Sequence, residues 1–332
     1  MSWFLYAVIC TLGWGFADLY YKRGTDENDR YSHLKIAVWV GLVMGVCALL
    51  LLPFSETSDW NIVSLLDKVV RYAPASLAYI VSMVVGYAGL RYLELSIVSP
   101  VQNASGALSA IAMLLYFGAV GRVGGFWEEY SVLDAVGTAL IAGSMIALGV
   151  IEHRLAVREK KEIASAEDPA EAAKNRKYRL GALALLFPIL YCVFDTVGTA
   201  ADGIILDEET GLGLGEIDVL VLYGLTFFVA GLVCWLVIWS RTRKPYNPFA
   251  FRTEWPKAGA AVFEEFGQIF YVFAMAQKPV LVAPMVGSYC IVSCIFSRIF
   301  LKEKLKVGQY ICINAVIVGI VLLGISEGLA EA

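Results

Sequence analysis

Charge is scarce in this chain, and what there is stands in clusters. Only 17% of the 332 residues are Asp, Glu, Lys or Arg. Histidine is nearly absent: His33 and His153 stand far apart, which excludes a histidine metal centre. The cysteines Cys10, Cys47, Cys192, Cys234, Cys290, Cys294 and Cys312 all fall inside apolar runs. They lack finger spacing and the exposed pairing of a disulfide framework, so they read as small apolar filler. No Gly-rich nucleotide loop occurs, which excludes ATP as an energy source. No basic patch interleaved with aromatics occurs, which excludes nucleic acid as a partner. No Lys or Arg precedes the first apolar run and no small-x-small cleavage site follows it. That is not a secretory signal. Lys22 and Arg23 follow the run instead, the order of an uncleaved first helix that starts outside. Nothing in the residues asks for a cofactor or a metal.

What is present is apolar sequence. The hydrophobic fraction is 59%, against roughly 45–50% for a globular domain, and the excess must face lipid. Ten runs are long enough to cross a hydrocarbon core: residues 2–21, 34–54, 72–93, 96–118, 131–151, 179–201, 217–240, 256–277, 280–301 and 306–326. The fold class is therefore all-α integral membrane. The links after spans 1, 3, 5, 7 and 9 hold 22 Lys and Arg with their flanks, and the other links hold 4. Basic loops stay in the cytoplasm, so both termini are expected outside. Residues 153–178, with Arg158-Glu159-Lys160-Lys161-Glu162, read as a charged, partly helical cytoplasmic linker. It joins a first unit, 1–152, to a second, 179–332.

The two units repeat. Tyr87 to Pro100 and Tyr271 to Pro284 each place a Tyr in an apolar helix, a short polar turn, then a Pro early in the next helix. Asp18 after Gly-Phe-Ala lines up with Asp195 after Cys-Val-Phe, and Val136-Gly137 lines up with Val307-Gly308. Five spans is an odd number, so two like-folded tandem units must insert with opposite polarity. Ten helices as two inverted five-helix repeats are an architecture of alternating-access transporters.

Residues Pro279 to Gly324 carry Ala283-Pro284, then Leu301-Lys302-Glu303-Lys304-Leu305, Gly308-Gln309 and Gly319. This ending resembles the drug/metabolite transporter superfamily in its EamA-like branch. The first half keeps Pro100 and Val136-Gly137 but has a longer Gly118–Tyr130 link in place of the Glu turn. The resemblance implies a central cavity lined by helices 1, 3, 4, 6, 8 and 9, with 5 and 10 peripheral.

Acids at membrane depth are the sharpest functional clue, because each costs about 2.5–3.5 kcal/mol to insert even on lenient scales. Glu264 and Glu265 lie mid-span. Neighbours on a helix point about 100° apart, so only one faces a cavity squarely. Glu264 shares its stripe with Gln268 and Tyr271 and is the expected cavity acid; Glu265 belongs at the edge or against another helix. Asp18, beside Trp14, and Asp195, beside Tyr191, are expected towards opposite faces. Further polar candidates are Tyr79, Ser82 and Gly86 on helix 3, Ser99, Gln102 and Asn103 on helix 4, and Ser288 and Tyr289 on helix 9. Pro100, Pro188 and Pro284 are candidate hinges, or packing kinks. Gly41 and Gly45 suit close helix packing, within the chain or between two copies, so monomer and homodimer both stay open.

These features point to a secondary transporter for a small polar metabolite. An amine, an amino acid or another cationic or zwitterionic solute fits an acidic interior with aromatic rings. Glu264 could also exchange a coupled proton. The partners are then a small-molecule substrate and the lipid bilayer. The rivals are a passive channel or a non-transporting scaffold. An intramembrane aspartyl protease built on Asp18 and Asp195 lacks the expected Gly-x-Gly-Asp context, and its two acids are expected near opposite faces.

Overall fold

The computed structural model describes residues 2–26, 28–55, 62–93, 95–121, 130–164, 184, 186–207, 211–212, 214–302 and 305–330. Among these residues the chain is all helix, with no strand. The helices are α1 Trp3–Gly24, α2 Ser32–Leu51, α3 Ile62–Gly89, α4 Leu95–Ala119, α5 Val132–Ala164, α6 Leu186–Ile205, α7 Glu216–Thr242, α8 Phe251–Met275, α9 Pro279–Gly287, α10 Tyr289–Phe296 and α11 Val307–Ala330. α9 and α10 follow one another within the span Pro279–Leu301, interrupted at Ser288. Among the described residues, nine spans have the length and apolarity to cross a membrane. α8 is 25 residues long, but Glu264, Glu265 and Gln268 in its middle leave it just short of that apolarity. It completes ten.

Every expected span is present, and the differences lie at the ends. α3 starts at Ile62, not at residue 72. Its added turns are amphipathic: Asp67 pairs with Arg71 at 2.9 Å, and Lys68 reaches Asp218 of α7 at 2.6 Å. An apolar-run reading stops where charge begins, but a helix continues as long as its charges have partners. α5 likewise runs on to Ala164 through the start of the expected linker. The rest of that linker, the Glu303 turn and most of the Gly118–Tyr130 link lie outside the described residues.

The helices pack in pairs: α1 on α8, α3 on α6, α2 on α7, α5 on α11, and α4 on α6 and α9. Small residues set the closest crossings. A methyl group on Gly41 of α2 would lie 2.5 Å from the Phe227 carbonyl oxygen and 2.9 Å from the Gly231 Cα of α7. Gly137 of α5 and Gly319 of α11 meet in the same way: a methyl group on either would lie 3.0 or 2.8 Å from the other's carbonyl oxygen. Such approach is what holds helices together where lipid removes the hydrophobic drive between them. Gly41 and Gly45 are thus spent on packing inside the chain. The spans α5 and α11 are the least buried and α9–α10 the most. Exposed Val132, Ile311, Val318 and Val321 on α5 and α11 form part of the apolar jacket of a membrane protein, and α9–α10 runs through the interior.

Register shows the direction of each pair. Along α1 and α8, Gly13 meets Gly267 while Gly24 meets Lys257. Along α3 and α6, Gly198 meets Tyr79 while Gly89 meets Phe187. Both pairs are antiparallel. α4 and α6 are parallel, with Ser105 bonded to Asp195 and Gly203 against Met113.

Candidate functional site

A narrow cavity of about 50 Å³ lies between the helices, enough for a few waters at roughly 10–15 Å³ each. The wall is built from α1 (Trp14, Asp18, Tyr21), α3 (Tyr79, Met83, Gly86, Tyr87), α4 (Gln102, Asn103, Ser105, Gly106), α6 (Tyr191, Asp195, Thr199), α8 (Glu264, Gln268, Tyr271) and α9–α10 (Ala283, Val286, Gly287, Tyr289). Leu90 and, from α7, Tyr223 complete it. Among the described residues, α5 and α11 contribute nothing to the wall and no lining residue is basic.

Glu264, Gln268 and Tyr271 all line the cavity, as a stripe at i, i+4 and i+7 must when its first member does. Glu265 is absent from the wall; it is buried and interacts with Cys47 of α2. Ser82 and Ser288 do not line the cavity either. Each hydroxyl donates to a carbonyl of its own chain three residues back, Tyr79 and Met285 respectively. Of the proline candidates, Pro100 sits within continuous α4 and Pro188 in the first turn of α6. A proline in a first turn costs no helical bond. Pro284 lies four residues before the interruption at Ser288, whose N–H donates back to the Pro284 oxygen at 3.2 Å.

Asp18 and Asp195, expected towards opposite faces, both line this one cavity. The acids are held separately. Asp18 Oδ2 accepts from Ser99 Oγ at 2.5 Å and from Ser293 Oγ at 2.7 Å. Asp195 Oδ2 accepts from Ser105 Oγ at 2.6 Å. Each aspartate thus takes a serine from the fourth span of the other half.

Two hydrogen-bonded groups bracket the cavity. In the first latch, Tyr87 OH of α3 donates to Tyr21 OH of α1 at 3.0 Å, and Tyr21 OH donates to Glu264 Oε2 of α8 at 3.3 Å. Lys22 sits beside it and donates to the Leu90 and Leu93 carbonyls at 2.7 and 2.8 Å. In the second latch, Tyr79 OH of α3 donates to Thr199 Oγ1 of α6 at 3.1 Å and shares a hydrogen bond with Tyr271 OH of α8 at 2.8 Å. The first latch lies towards the ends of α1 and α3, and the second towards the ends of α6 and α8. Tyr87 and Tyr271 are the tyrosines of the sequence repeat.

Aromatic rings frame the acids. Trp14 stands 5.2 Å from the Tyr271 ring and 5.7 Å from the Tyr289 ring, and its Nε1 donates to the Glu264 carbonyl at 3.1 Å. Gly267 admits the indole, since a methyl group there would collide with it, and Gly86 admits the Tyr191 ring in the same manner. The side-chain nitrogens of Gln102 and Gln268 are buried on the wall without a hydrogen-bond partner. They are donors free to meet a polar solute. Among the described residues no cluster of His, Cys, Asp and Glu could hold a metal ion.

Residues 210–325 match the EamA-like transporter family. That family is part of the drug/metabolite transporter superfamily. The EamA-like segment spans α7 to α11 and includes Glu264, Gln268, Tyr271 and Tyr289 of the cavity wall. No curated protein matches the chain. A solved crystal structure is similar over 98% of this chain and 98% of its own, at a TM-score of 0.56 and 13% identity. At that identity the likeness speaks for the fold alone, and it does so for both halves. With ten long apolar helices and the EamA-like match, the chain is a multi-pass membrane protein.

Tyr21, Tyr87, Ser105 and Tyr223 are wall residues beyond the candidates of the sequence. Asp202 falls one residue beyond the expected span 179–201, but it belongs to α6 and is fully buried. The spacing Asp195, Thr199, Asp202 is a helical stripe and could have revealed it.

Proposed function

We propose that this protein is a secondary transporter, not an enzyme, that carries a small polar solute with a cationic group by alternating access. The observation that carries the reading is the cavity wall: three carboxylates, Asp18, Asp195 and Glu264, ringed by aromatic side chains and facing no basic residue. Buried acids without cations draw a cationic group or a proton, and aromatic faces add cation–π attraction for amines. The EamA-like match supports transport as the class of activity.

The architecture we infer is two inverted five-helix repeats, residues 1–152 and 179–332. The packing pattern supports it. Exchange the spans of the halves in order, with α9–α10 as the ninth and α11 as the tenth. The pair α1·α8 then becomes α6·α3, the pair α4·α6 becomes the ninth span on α1, and α2·α7, α5·α11 and α4·α9 return to themselves; all are observed. The latches exchange as well: α1, α3 and α8 in the first become α6, α8 and α3 in the second. In a carrier built this way each latch closes the cavity towards one side of the membrane. With the basic links in the cytoplasm of a cell whose cytoplasmic membrane holds the protein, the first latch faces inwards, and the termini lie outside. The narrow cavity is then an occluded form that widens to admit its solute.

The test is a thermal-shift screen of the purified protein against amines, amino acids and nucleosides, followed by counterflow of any hit in proteoliposomes. Saturable counterflow is expected. Non-saturating flux would make the protein a channel, and no flux of any stabilising ligand would make it a scaffold. Single cysteines at Asp207 and Arg243 should label from opposite faces of intact cells, Asp207 from outside; the reverse would overturn the orientation.

A further inference from the structure

The acid that the cavity does not use is Asp202. It is 0% exposed in α6, next to Gly203, which packs against Met113 and Pro279. Its Oδ1 accepts a hydrogen bond from Tyr72 OH of α3 at 2.8 Å. Its Oδ2 is buried and has no hydrogen-bond partner. Among the described residues no Lys, Arg or His forms an ion pair with it. The ionisable groups around it are Tyr72 and Tyr79 of α3, Tyr271 of α8, Tyr223 of α7 and Asp195 one face-repeat back on α6. All are neutral or acidic; α4 presents Met113.

A lone carboxylate in such surroundings is strongly disfavoured, because neither solvation nor a counter-charge replaces the water it has lost. A metal ion would need a shell of oxygen ligands, whereas this acid meets only the tyrosine hydroxyls of Tyr72 and Tyr79. A proton needs only the free oxygen. Position gives that proton a use. Asp195, Thr199 and Asp202 occupy one stripe of α6, and Thr199 is the α6 member of the second latch. Asp195 and Thr199 line the cavity and Asp202 does not. Asp202 thus stands on the same α6 stripe as two wall residues, one turn beyond the latch residue Thr199.

We propose that Asp202 is a second proton-binding site, sealed behind the Tyr79–Thr199–Tyr271 latch and distinct from the cavity acids. While the latch is closed, Asp202 is a carboxylic acid. When the latch parts, the O–H bond breaks and the proton passes to water, leaving a carboxylate and hydronium; reclosure requires the proton back. Opening of one side is thereby tied to one proton. The proposal rests on the alternating-access reading for its purpose, but not for its test.

Infrared spectra of the full chain in lipid nanodiscs at pH 7 test it. Asp202→Asn should remove one protonated-carboxyl band, and Tyr72→Phe should shift that same band by deleting its hydrogen-bond donor. On transfer to D₂O the band should move slowly in the wild type and severalfold faster in Tyr79→Phe, which weakens the latch. If Asp202→Asn does not insert, the band shift in Tyr72→Phe and the exchange rate in Tyr79→Phe decide the matter. No band assignable to Asp202, or equal exchange rates in the wild type and Tyr79→Phe, would overturn the inference. A protein that performs counterflow without such a band keeps the transport reading and loses this one; a protein with the band and no counterflow does the reverse.

Discussion

The two latches use corresponding helices and different chemistry. One closes on a carboxylate, with Tyr21 donating to Glu264 and Tyr87 donating to Tyr21. The other closes on hydroxyls alone, with Tyr79 between Thr199 and Tyr271. A hydroxyl cluster keeps its charge whatever enters the cavity. A carboxylate at a latch must change its bonding when a cation or a proton reaches it, because its partner Tyr21 then competes with the newcomer. The comparison teaches that two clusters of similar shape on one cavity can differ in whether a charge takes part. On the proposal made for Asp202, the acid on the side of the second cluster stands one step further out.

The largest effect should come from removing the charged member of the first latch. Glu264→Gln keeps shape and most hydrogen bonding, and we expect concentrative transport to fall by more than about tenfold, the loss of one interaction of roughly 1.4 kcal/mol or more. Insertion should stay near wild type. If the residue carries a proton, substrate exchange survives and the dependence on a pH gradient is lost; if it anchors substrate, exchange fails too. Full gradient-driven transport by this variant in proteoliposomes would reduce Glu264 to a packing residue. Glu265→Gln should be milder, since that side chain turns to Cys47 and away from the cavity.

Next in size is the crossing of α2 and α7. Gly41→Ala puts a methyl group 2.5 Å from a carbonyl oxygen, and overpacking of this kind costs about 1–3 kcal/mol. Gly143→Ala meets nothing within 4 Å and should leave thermal unfolding unchanged. Equal melting temperatures for the two variants would show that the α2–α7 crossing is not tight.

The smallest expected effect lies outside the membrane. Burial raises the Asp29 pKa, but the Lys35 side chain and the Tyr31 N–H outweigh it, and the carboxyl ends below its ordinary value. A depressed folded pKa gives stability that is present above the unfolded value near 3.9 and lost as pH falls through the folded one. The pair is partly exposed, so Asp29→Asn should cost under about 1 kcal/mol at pH 7, with the difference from wild type vanishing in acid. A difference that persists below pH 3 would assign the effect to the hydrogen bond from Tyr31 N–H.

Much of this arrangement was legible in the residues. Runs of apolar sequence located all ten spans, and the stripe of Glu264, Gln268 and Tyr271 pointed at the cavity because helical spacing fixes which side chains share a face. Three things were not legible. The ends of α3 and α6 were hidden because Asp67, Lys68 and Asp202 look like loop charges until a partner or a hydroxyl is placed beside them. That Asp18 and Asp195 line one cavity depends on how far antiparallel helices slide along one another, which no single-helix period contains. Tyr21 and Thr199 become latch residues only through partners 66 and 243 positions away for Tyr21 and 120 for Thr199.

The central claim is that the latches alternate. It is tested most directly by a single cysteine at Met83 on the cavity wall, in a chain whose seven native cysteines are replaced, labelled with an impermeant maleimide from each face of sealed vesicles. We expect Tyr271→Phe to raise labelling from the side where α6 and α8 end and lower it from the other, and Tyr87→Phe to do the reverse. If both variants raise labelling from both faces together, the cavity is a pore and the account of alternating latches is wrong.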